Sequence, residues 1–163
     1  MMQWNNQSSR RTTPLTLPVD LVIVQHTVTP ECSTDDACED IARRIQSYHV
    51  NNMHWTDIGQ SFLVGGNGKI YEGSGWKVGA HTLGYNNKSI SITFIGDFRK
   101  RSPATSAIQS ARDFLKCAAR LEYLTGDYTL IAHSQVSNTE SPGAILSHKI
   151  RSWPHWIEDF SDL

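Results

Sequence analysis

The sequence predicts an α/β fold in which a central mixed, mostly parallel β-sheet is flanked by about three α-helices. Short apolar stretches rich in β-branched residues are typical of buried strands, and they occur at 21–26, 89–96 and 129–133. Stretches with apolar residues at three- and four-residue spacing, which is the helical period, alternate with these strands. This alternation favours a single sheet covered by helices.

The first predicted helix covers residues 35–51. Its apolar residues recur at helical spacing, so one face is apolar and is expected to be buried. These residues are Ile41, Ile45 and Tyr48. Asp35 or Asp36 is expected to cap the helix, because a carboxylate accepts hydrogen bonds from the free N–H groups of a first turn.

A β-hairpin is predicted from Phe62–Val64 and Lys69–Glu72, because the glycines and Asn67 between them permit the positive φ of a tight turn. A phosphate-binding loop is the weaker alternative, since neither a helical pattern nor a Gly-Lys-Ser/Thr sequence follows. Residues 73–89 then form a long loop with several glycines and aromatic residues. Loops of this length in a compact domain are usually functional.

Two further helices are predicted in the second half of the chain. One follows Ser102-Pro103, with a buried stripe made of Ile108, Ala111, Leu115 and Ala118, flanked by Phe114 and Leu121. The other starts at Ser141-Pro142, and its side chains expected to face the core are those of Leu146, Ile150 and Trp153.

Length and composition indicate one domain. The chain has 163 residues, of which residues 1–19 are predicted to be a lead-in segment that packs on the domain formed by residues 20–163. A net charge of −1, with no Lys/Arg run longer than three residues, argues against nucleic-acid binding. The early apolar run Leu21–Val24 is far too short to span a membrane, and we expect no secretory signal.

The chain has three cysteines. Cys32 and Cys38 enclose a polar, acidic stretch, and this spacing suits a small disulfide loop before a helix, which favours an oxidising compartment. Two free thiols in a cytosolic protein are the alternative. Cys117 lies in an apolar helical pattern and is predicted to be buried.

Two histidines and a serine suggest a site at the ends of the strands. His26 and His133 each follow an apolar run, where open α/β sheets place their ligand crevices. A thiolate as third donor would complete a zinc centre with one open position, as a metallohydrolase requires. Ser141 offers a neutral hydroxyl instead, which is a poor zinc ligand. The sequence thus predicts a hydrolase-like scaffold without its metal chemistry and with a groove that binds.

Six motifs occur along the chain in a fixed order. They are Gln25-His26-Thr27, Trp55-Thr-Asp57-Ile-Gly59, Val64-Gly-Gly-Asn-Gly-Lys-Ile-Tyr71-Glu72-Gly73, Gly79-Ala80-His81, Ala132-His133-Ser134-Gln135-Val136, and Thr139-Glu-Ser141-Pro-Gly143 followed by Trp153-Pro-His-Trp156. In this order, over residues 20–156, the chain resembles a peptidoglycan recognition protein domain of the kind found in insect innate-immune receptors. That family is related to zinc-dependent N-acetylmuramoyl-L-alanine amidases.

The resemblance implies a degenerate amidase site. Catalytic members hold zinc with two histidines and a cysteine, whose positions correspond to His26, His133 and Ser141. The tyrosine that polarises the scissile carbonyl corresponds to Gln60. Zinc gains much of its affinity from a thiolate, and loss of a donor to the developing oxyanion costs on the order of 3 kcal/mol in comparable sites. We therefore expect neither bound zinc nor hydrolysis.

The same residues are expected to line a groove that binds muropeptides. Besides His26, Gln60, His133 and Ser141, the predicted contacts are His81, Trp76, Tyr85, Asn86 and Arg99. Aromatic faces and amides suit sugar rings and stem peptides, although Trp76 and Tyr85 could instead anchor their loop and His81 could stabilise a turn. Arg99 is a candidate to pair with the extra carboxylate of diaminopimelic acid, with a solvated basic loop as the alternative.

Three functions follow from these expectations. The preferred one is a non-catalytic receptor domain that binds peptidoglycan fragments and signals by pairing with another such domain. The second is an accessory domain that does not bind ligand alone, because only Lys77 and Val78 separate Trp76 from the Gly-Ala-His motif, one residue fewer than is common in the family. The third is a residual zinc amidase. The expected location is extracellular or a receptor ectodomain, with an intracellular form left open.

Overall fold

The computed structural model describes residues 11–160. The described chain contains five strands and three α-helices, which confirms the predicted fold class. In chain order they are β1 (Val19–His26), α1 (Asp35–Ser47), β2 (Phe62–Val64), β3 (Ile70–Glu72), β4 (Ile90–Phe94), α2 (Thr105–Arg120), β5 (Leu124–Ala132) and α3 (Ala144–Ile150). A π-helical turn at Tyr48–Asn52 extends α1, and a 3₁₀ turn at His133–Gln135 follows β5.

The sheet has the strand order β3-β2-β4-β1-β5. β1 lies between β4 and β5 and is parallel to both, β2 is parallel to β4, and only β3 runs antiparallel among the described strands. Parallel strands end at the same edge of a sheet, so the residues after β1, β4 and β5 are brought together. The predicted site residues His26 and His133 lie at this edge.

Different helices cover the two faces of the sheet. On one face Val22, Val24 and Ile92 pack with residues of α2 and α3 in the largest core cluster. On the other face α1 packs over Leu63 and Tyr71. Because side chains alternate along a strand, the continuous apolar run of β1 supplies both faces. The central strands are therefore buried from both sides, as the sequence predicts.

The contact face of α1 differs from the prediction. Its buried residues are Cys38 and Ala42, whereas Ile41 and Ile45 are half-buried and Tyr48 is 55% exposed. Small side chains let the helix approach the sheet closely, and the larger apolar residues then flank the contact. The Cys32–Cys38 disulfide, which confirms that prediction, ties the start of the helix to the preceding loop.

The N-cap of α1 is Thr34, so the prediction of Asp35 or Asp36 was wrong by one or two positions. The Thr34 hydroxyl accepts a hydrogen bond from the N–H of Ala37 at 3.2 Å. Asp35 instead pairs with Lys69 at 2.6 Å, and this ion pair connects the helix to the hairpin. The two acidic residues still lie in the first turn, where negative charge is favourable.

Removal of the Thr34 cap is expected to destabilise the chain. Thr34→Ala leaves one N–H of the first turn without its side-chain acceptor, which costs about 1 kcal/mol in the free energy of unfolding. Urea denaturation followed by circular dichroism measures this loss. Ser33→Ala, at the exposed neighbouring position, is the matched control and should change stability little. Equal losses in the two variants would contradict the capping role.

Several predictions for the second half need correction. Ala111, Leu115 and Ala118 of α2 are buried as predicted and Ile108 is half-buried, but Leu121 is 62% exposed. Cys117 is exposed, because it follows Lys116 on the outer side of the helix. The last helix begins at Ala144 rather than at Ser141, since Gly143 has a φ of 93°, outside the helical region.

The described part of the lead-in segment packs on the domain. Leu15 is buried, and its N–H donates to the carbonyl of Trp76 at 3.0 Å. Pro14 forms an isolated antiparallel bridge with Lys77. Residues 1–10, which belong to the predicted lead-in, lie outside the described residues, and the boundary after residue 19 stays a prediction.

Candidate functional site

The end of β1 and the segment after β5 meet at Ser141. The backbone N–H of His26 donates to the Ser141 hydroxyl at 3.1 Å. The N–H of Ser134, next to His133, donates to the Ser141 carbonyl at 2.9 Å. The structure thus brings together the three residues that the sequence assigns to one site.

His26 is held by the backbone that follows β4. Its Nδ1 accepts a hydrogen bond from the N–H of Phe98 at 3.2 Å, so the ring proton of the neutral imidazole lies on Nε2. Burial lowers the pKa of His26, and Asp97 opposes this shift while Arg99 adds to it. The imidazole is therefore neutral at neutral pH.

His133 is also neutral at neutral pH. Burial lowers its pKa to about 4, and repulsion from His26 contributes. Its Nδ1 is buried and makes no hydrogen bond within residues 11–160. Two close neutral imidazoles can donate or accept hydrogen bonds, but they supply no negative charge to a metal ion.

The donor set at this site does not match what zinc prefers. Structural and catalytic zinc sites use thiolates, imidazoles and carboxylates, and charge neutralisation provides much of the affinity. Here the third donor is the Ser141 hydroxyl, which already accepts the N–H of His26. Within the described range, no three His, Cys, Asp or Glu side chains are grouped so that they could hold a metal ion.

A buried polar network connects the sheet to His81. Gln25 of β1 donates from Nε2 to the Thr82 hydroxyl at 2.8 Å, and the Thr82 hydroxyl lies 2.9 Å from Nδ1 of His81. The Thr82 hydroxyl has both a hydrogen to donate and lone pairs to accept, so its contact with Nδ1 of His81 fits either tautomer of the imidazole. Burial lowers the pKa of His81 to about 4, although the nearby Ser89 carbonyl partly opposes this shift.

Asn86 and Tyr85 hold the long loop in place. The Asn86 side-chain oxygen accepts the N–H groups of His81 and Thr82 at 2.8 and 2.9 Å. Tyr85 packs against the apolar cluster of Leu21, Ile23 and Ile131, with its ring 6.1 Å from that of Phe160. These contacts correspond to the anchoring alternative, and direct contact with a ligand stays a prediction for both residues.

Trp76 lies on the α2 side of the sheet. Its ring is 5.3 Å from Phe62, 6.3 Å from Phe114 and 5.0 Å from Tyr123. The α1 helix covers the opposite face. These contacts correspond to the anchoring alternative for Trp76, and direct contact of its ring with a ligand stays a prediction.

Arg99 is already paired within the chain. Its Nε donates to Asp97 at 2.9 Å, and its Nη1 lies 3.5 Å from Glu140. The Arg99 guanidinium lowers the pKa of Asp97 to about 2, and Asp97 in turn raises the pKa of Arg99. A ligand carboxylate would have to compete with these partners, so the structure offers no free guanidinium fork here.

A cleft of about 620 Å³ lies between α1 and the strand-end loops. Its walls combine apolar side chains of α1 with hydroxyl, amide and imidazole groups. The principal lining residues are Thr27, Thr29, Ile41, Arg44, Ile45, Tyr48, His49 and Gln60. Sequence reasoning identified only Gln60, because it assigned the apolar α1 residues to the core and gave His49 no role. The sequence signal that it missed is the pair of small residues Cys38 and Ala42, four positions apart, which pack on the sheet and leave Ile41 and Ile45 half-buried.

Hydrogen bonds from two sides hold the segment that precedes Gln60. Arg11 donates to the carbonyls of Ile58 and Asp57 at 3.1 and 3.0 Å. The Asp57 carboxylate accepts Gln46 of α1 at 2.8 Å, and His49 accepts the N–H of Gly59 at 3.0 Å. The lead-in segment and α1 therefore clamp this loop from two sides and fix one wall of the cleft.

The fold and site together define an amidase-type domain, and comparison with known proteins gives the family. Residues 15–144 match the family model of N-acetylmuramoyl-L-alanine amidase. A peptidoglycan recognition protein of Bombyx mori is 48% identical over 162 residues, which cover 99% of this chain and 83% of that protein. The chain belongs to the peptidoglycan recognition protein family.

Solved structures agree with this assignment. The X-ray structure of Apis mellifera PGRP-SA superposes with a TM-score of 0.94 at 41% identity, covering 97% of this chain and 98% of that one. A second match has a TM-score of 0.92 at 40% identity and covers 96% of this chain and 99% of the other. It is a complex of tracheal cytotoxin with the ectodomains of the peptidoglycan recognition proteins LCa and LCx.

Proposed function

We propose that this chain is a non-catalytic recognition domain of innate immunity that binds peptidoglycan fragments in the cleft between α1 and Gln60. The observation that carries this proposal is the Ser141 hydroxyl, which accepts the His26 N–H. The family resemblance assigns this position to the cysteine ligand of the zinc amidases. The family and the solved complex with tracheal cytotoxin support peptidoglycan fragments as ligands.

Two substitutions argue against hydrolysis. Ser141 gives the two neutral imidazoles no anionic companion, so we propose that the domain works without zinc. Gln60 has no hydroxyl to donate to a developing oxyanion, and its side-chain oxygen is buried without a partner in the described chain. The site retains hydrogen-bonding groups but lacks the two that would assist cleavage of an amide bond.

The cleft has the chemistry that a muropeptide needs. Ile41, Ile45 and Tyr48 offer apolar and aromatic surface for sugar faces and alanine methyl groups. Thr27 and Gln60 offer hydroxyl and amide groups for the stem peptide. Pockets of this size, with mostly apolar walls and few polar groups, are typical of small-ligand sites.

A preference for diaminopimelate-type fragments remains a prediction from the resemblance. Its proposed anchor Arg99 is paired with Asp97 and Glu140. Calorimetric titration with matched diaminopimelate-type and lysine-type muropeptides tests the preference. Tighter binding of the diaminopimelate form that disappears in Arg99→Gln would support this role of Arg99. Equal affinities for the two muropeptides would contradict the predicted preference.

Tyr48→Ala is expected to weaken muropeptide binding about tenfold, because it removes an aromatic wall of the cleft. Tyr48 is 55% exposed, so folding should be unaffected. Isothermal titration calorimetry measures the change. Tyr123→Ala is the matched control, since Tyr123 is 39% exposed and contacts Trp76 on the other side of the sheet. A similar loss in both variants would contradict the position of the groove.

An accessory role is the second candidate function. It is favoured by the solved structure of tracheal cytotoxin bound to the ectodomain complex of LCa and LCx, and by the short spacing after Trp76. In that case the chain alone would show no binding of a muropeptide. It would bind a partner domain only when that partner has a muropeptide bound. Cross-titration with a second recognition domain distinguishes the two roles.

We also propose an extracellular or ectodomain location, because the Cys32–Cys38 disulfide requires oxidising conditions to persist. No helix within residues 11–160 is both long and apolar enough to cross a bilayer.

A further inference from the structure

The long loop that precedes β4 contains an asparagine in the sequence context of an N-glycosylation acceptor. Asn87, Lys88 and Ser89 form the pattern Asn-X-Ser, in which X is any residue except proline. The pattern is short, so it indicates a modification only where the asparagine lies at the surface of a protein that passes through the secretory pathway. The same pattern occurs at Asn6-Gln7-Ser8, outside the described residues.

The side chain of Asn87 is exposed, whereas the side chains before and after it contact the loop. The Asn86 side-chain oxygen accepts two backbone N–H groups at 2.8 and 2.9 Å. The Lys88 ammonium lies 4.9 Å from the centre of the Tyr85 ring. Asn87 makes no side-chain hydrogen bond within residues 11–160. A substituent on its amide nitrogen would therefore break no side-chain hydrogen bond of the described chain.

Ser89, the third residue of the pattern, is buried in the folded chain. It is 1% exposed, and its hydroxyl donates to the carbonyl of Tyr85 at 2.7 Å. A transferase recognises the acceptor pattern through this hydroxyl, so it must act before the loop packs on the sheet. Addition to the nascent chain during translocation meets this condition. Folding then buries Ser89 and leaves Asn87 at the surface.

The position of Asn87 separates a glycan from the candidate ligand cleft. Ile90, the first residue of β4, pairs with Val22, whereas the last residue of β4 pairs with His26 of the site. Asn87 thus precedes the end of β4 that is farther from the site. The loop formed by residues 73–89 contributes no lining residue to the 620 Å³ cleft. A glycan and a muropeptide would occupy different parts of the surface.

We propose that Asn87 carries an N-linked glycan. This inference rests on the extracellular or ectodomain location proposed above, which the Cys32–Cys38 disulfide supports. The donor is an oligosaccharide bound through a diphosphate to a lipid of the endoplasmic reticulum. Nδ2 of Asn87 forms a bond to C1 of the oligosaccharide while the bond from C1 to the diphosphate oxygen breaks. The lipid diphosphate leaves, and the amide nitrogen loses one of its two protons.

Expression of the full chain behind a cleavable secretion signal in animal cells tests the proposal. The chain is collected from the medium and from the cell membranes, so that poor export does not hide a modification. The same chain made in bacteria that lack the transferase gives the reference mass. We expect the peptide that contains Asn87 to gain the mass of one glycan. A peptide N-glycosidase should remove this glycan and leave an aspartate in place of the asparagine.

Three variants identify the modified residue. Asn87→Gln should lose the glycan, and its exposed position makes a folding defect unexpected. Ser89→Thr keeps the acceptor pattern and should keep the glycan. Asn6→Gln is the matched control, because it removes the other acceptor pattern and should leave the glycan on Asn87. An unmodified Asn87 in a chain whose signal has been cleaved would overturn the proposal. A glycan that is lost in Asn6→Gln and persists in Asn87→Gln would also overturn it.

The mass measurement is independent of ligand binding, so a failure here would leave the proposed muropeptide binding untouched. Calorimetry adds a test of the position of the glycan. The glycosylated chain and Asn87→Gln should bind a muropeptide with equal affinity. Weaker binding by the glycosylated chain would contradict the separation between Asn87 and the cleft.

Discussion

Ser141→Cys is expected to convert the site into one that binds zinc. The substitution adds a thiolate donor beside two neutral imidazoles, and zinc would take the Nδ1 lone pair of His26 in place of its hydrogen bond from the Phe98 N–H. The new ligand charge should tighten the zinc dissociation constant by at least about a thousandfold, or on the order of 4 kcal/mol. Competition with a chromophoric chelator measures the constant, and mass spectrometry of the metal gives its stoichiometry.

Ser141→Ala is the control for this experiment, because it removes the hydroxyl without adding a thiolate. It should bind zinc as weakly as the natural sequence does. The Ser141→Cys variant should still fail to cleave muropeptides, since Gln60 is unchanged. If the natural sequence and Ser141→Cys bound zinc equally tightly, the assignment of Ser141 as the missing donor would be wrong.

Acidification is expected to destabilise the fold through His81. The pKa of its imidazole is about 4 in the folded chain, against about 6.5 in an unfolded one. The unfolded state then binds the proton first, so the stabilisation present above pH 6.5 is lost as the pH falls toward 4. For this imidazole the loss is on the order of 3 kcal/mol. His133 contributes in the same direction, reduced by its partial exposure.

Urea denaturation at a series of pH values between 7 and about 4 measures this effect. His81→Gln should be less stable at pH 7, and its stability should depend less on pH, because the group that takes up the proton is gone. His148→Gln, at an exposed position of α3, is the control and should keep the natural pH dependence. An unchanged pH dependence in His81→Gln would contradict the buried neutral state of this imidazole.

The sequence predicted most of the architecture, because strands that are buried on both faces have continuous apolar sequences that are easy to recognise. The continuous β-branched run of β1 and the hairpin glycines can form few other structures. The strand ends were also informative: parallel pairing of β1 with β4 and β5 makes His26, His133 and Ser141 meet. These residues are distant in sequence, and the topology alone brings them together.

The cleft beside α1 was harder to predict, because its wall uses the same residue types as a core. Ile41, Ile45 and Tyr48 have helical spacing, and periodicity does not distinguish a face packed on the sheet from a face that borders a cleft. The small residues Cys38 and Ala42 settle this by taking the contact with the sheet. Cys117 was misplaced for the related reason that its helix has more apolar residues than its buried stripe accommodates.

Arg99 and Trp76 show that the surroundings of a side chain are hard to predict when they come from distant parts of the sequence. Whether an arginine is available to a ligand depends on carboxylates that fold against it, and Glu140 lies 41 positions away in sequence. The side of the sheet on which a loop tryptophan packs depends on α2, through Phe114. Neither contact leaves a pattern in the local sequence.

The central claim is that this domain binds muropeptides without cleaving them. The most direct test incubates the purified natural chain with a defined muropeptide and equimolar zinc, and follows binding by calorimetry and the peptide by mass spectrometry. We expect saturable binding, alone or with a second recognition domain, and an intact muropeptide after prolonged incubation. Release of free stem peptide by a chain that retains one equivalent of zinc would contradict the account.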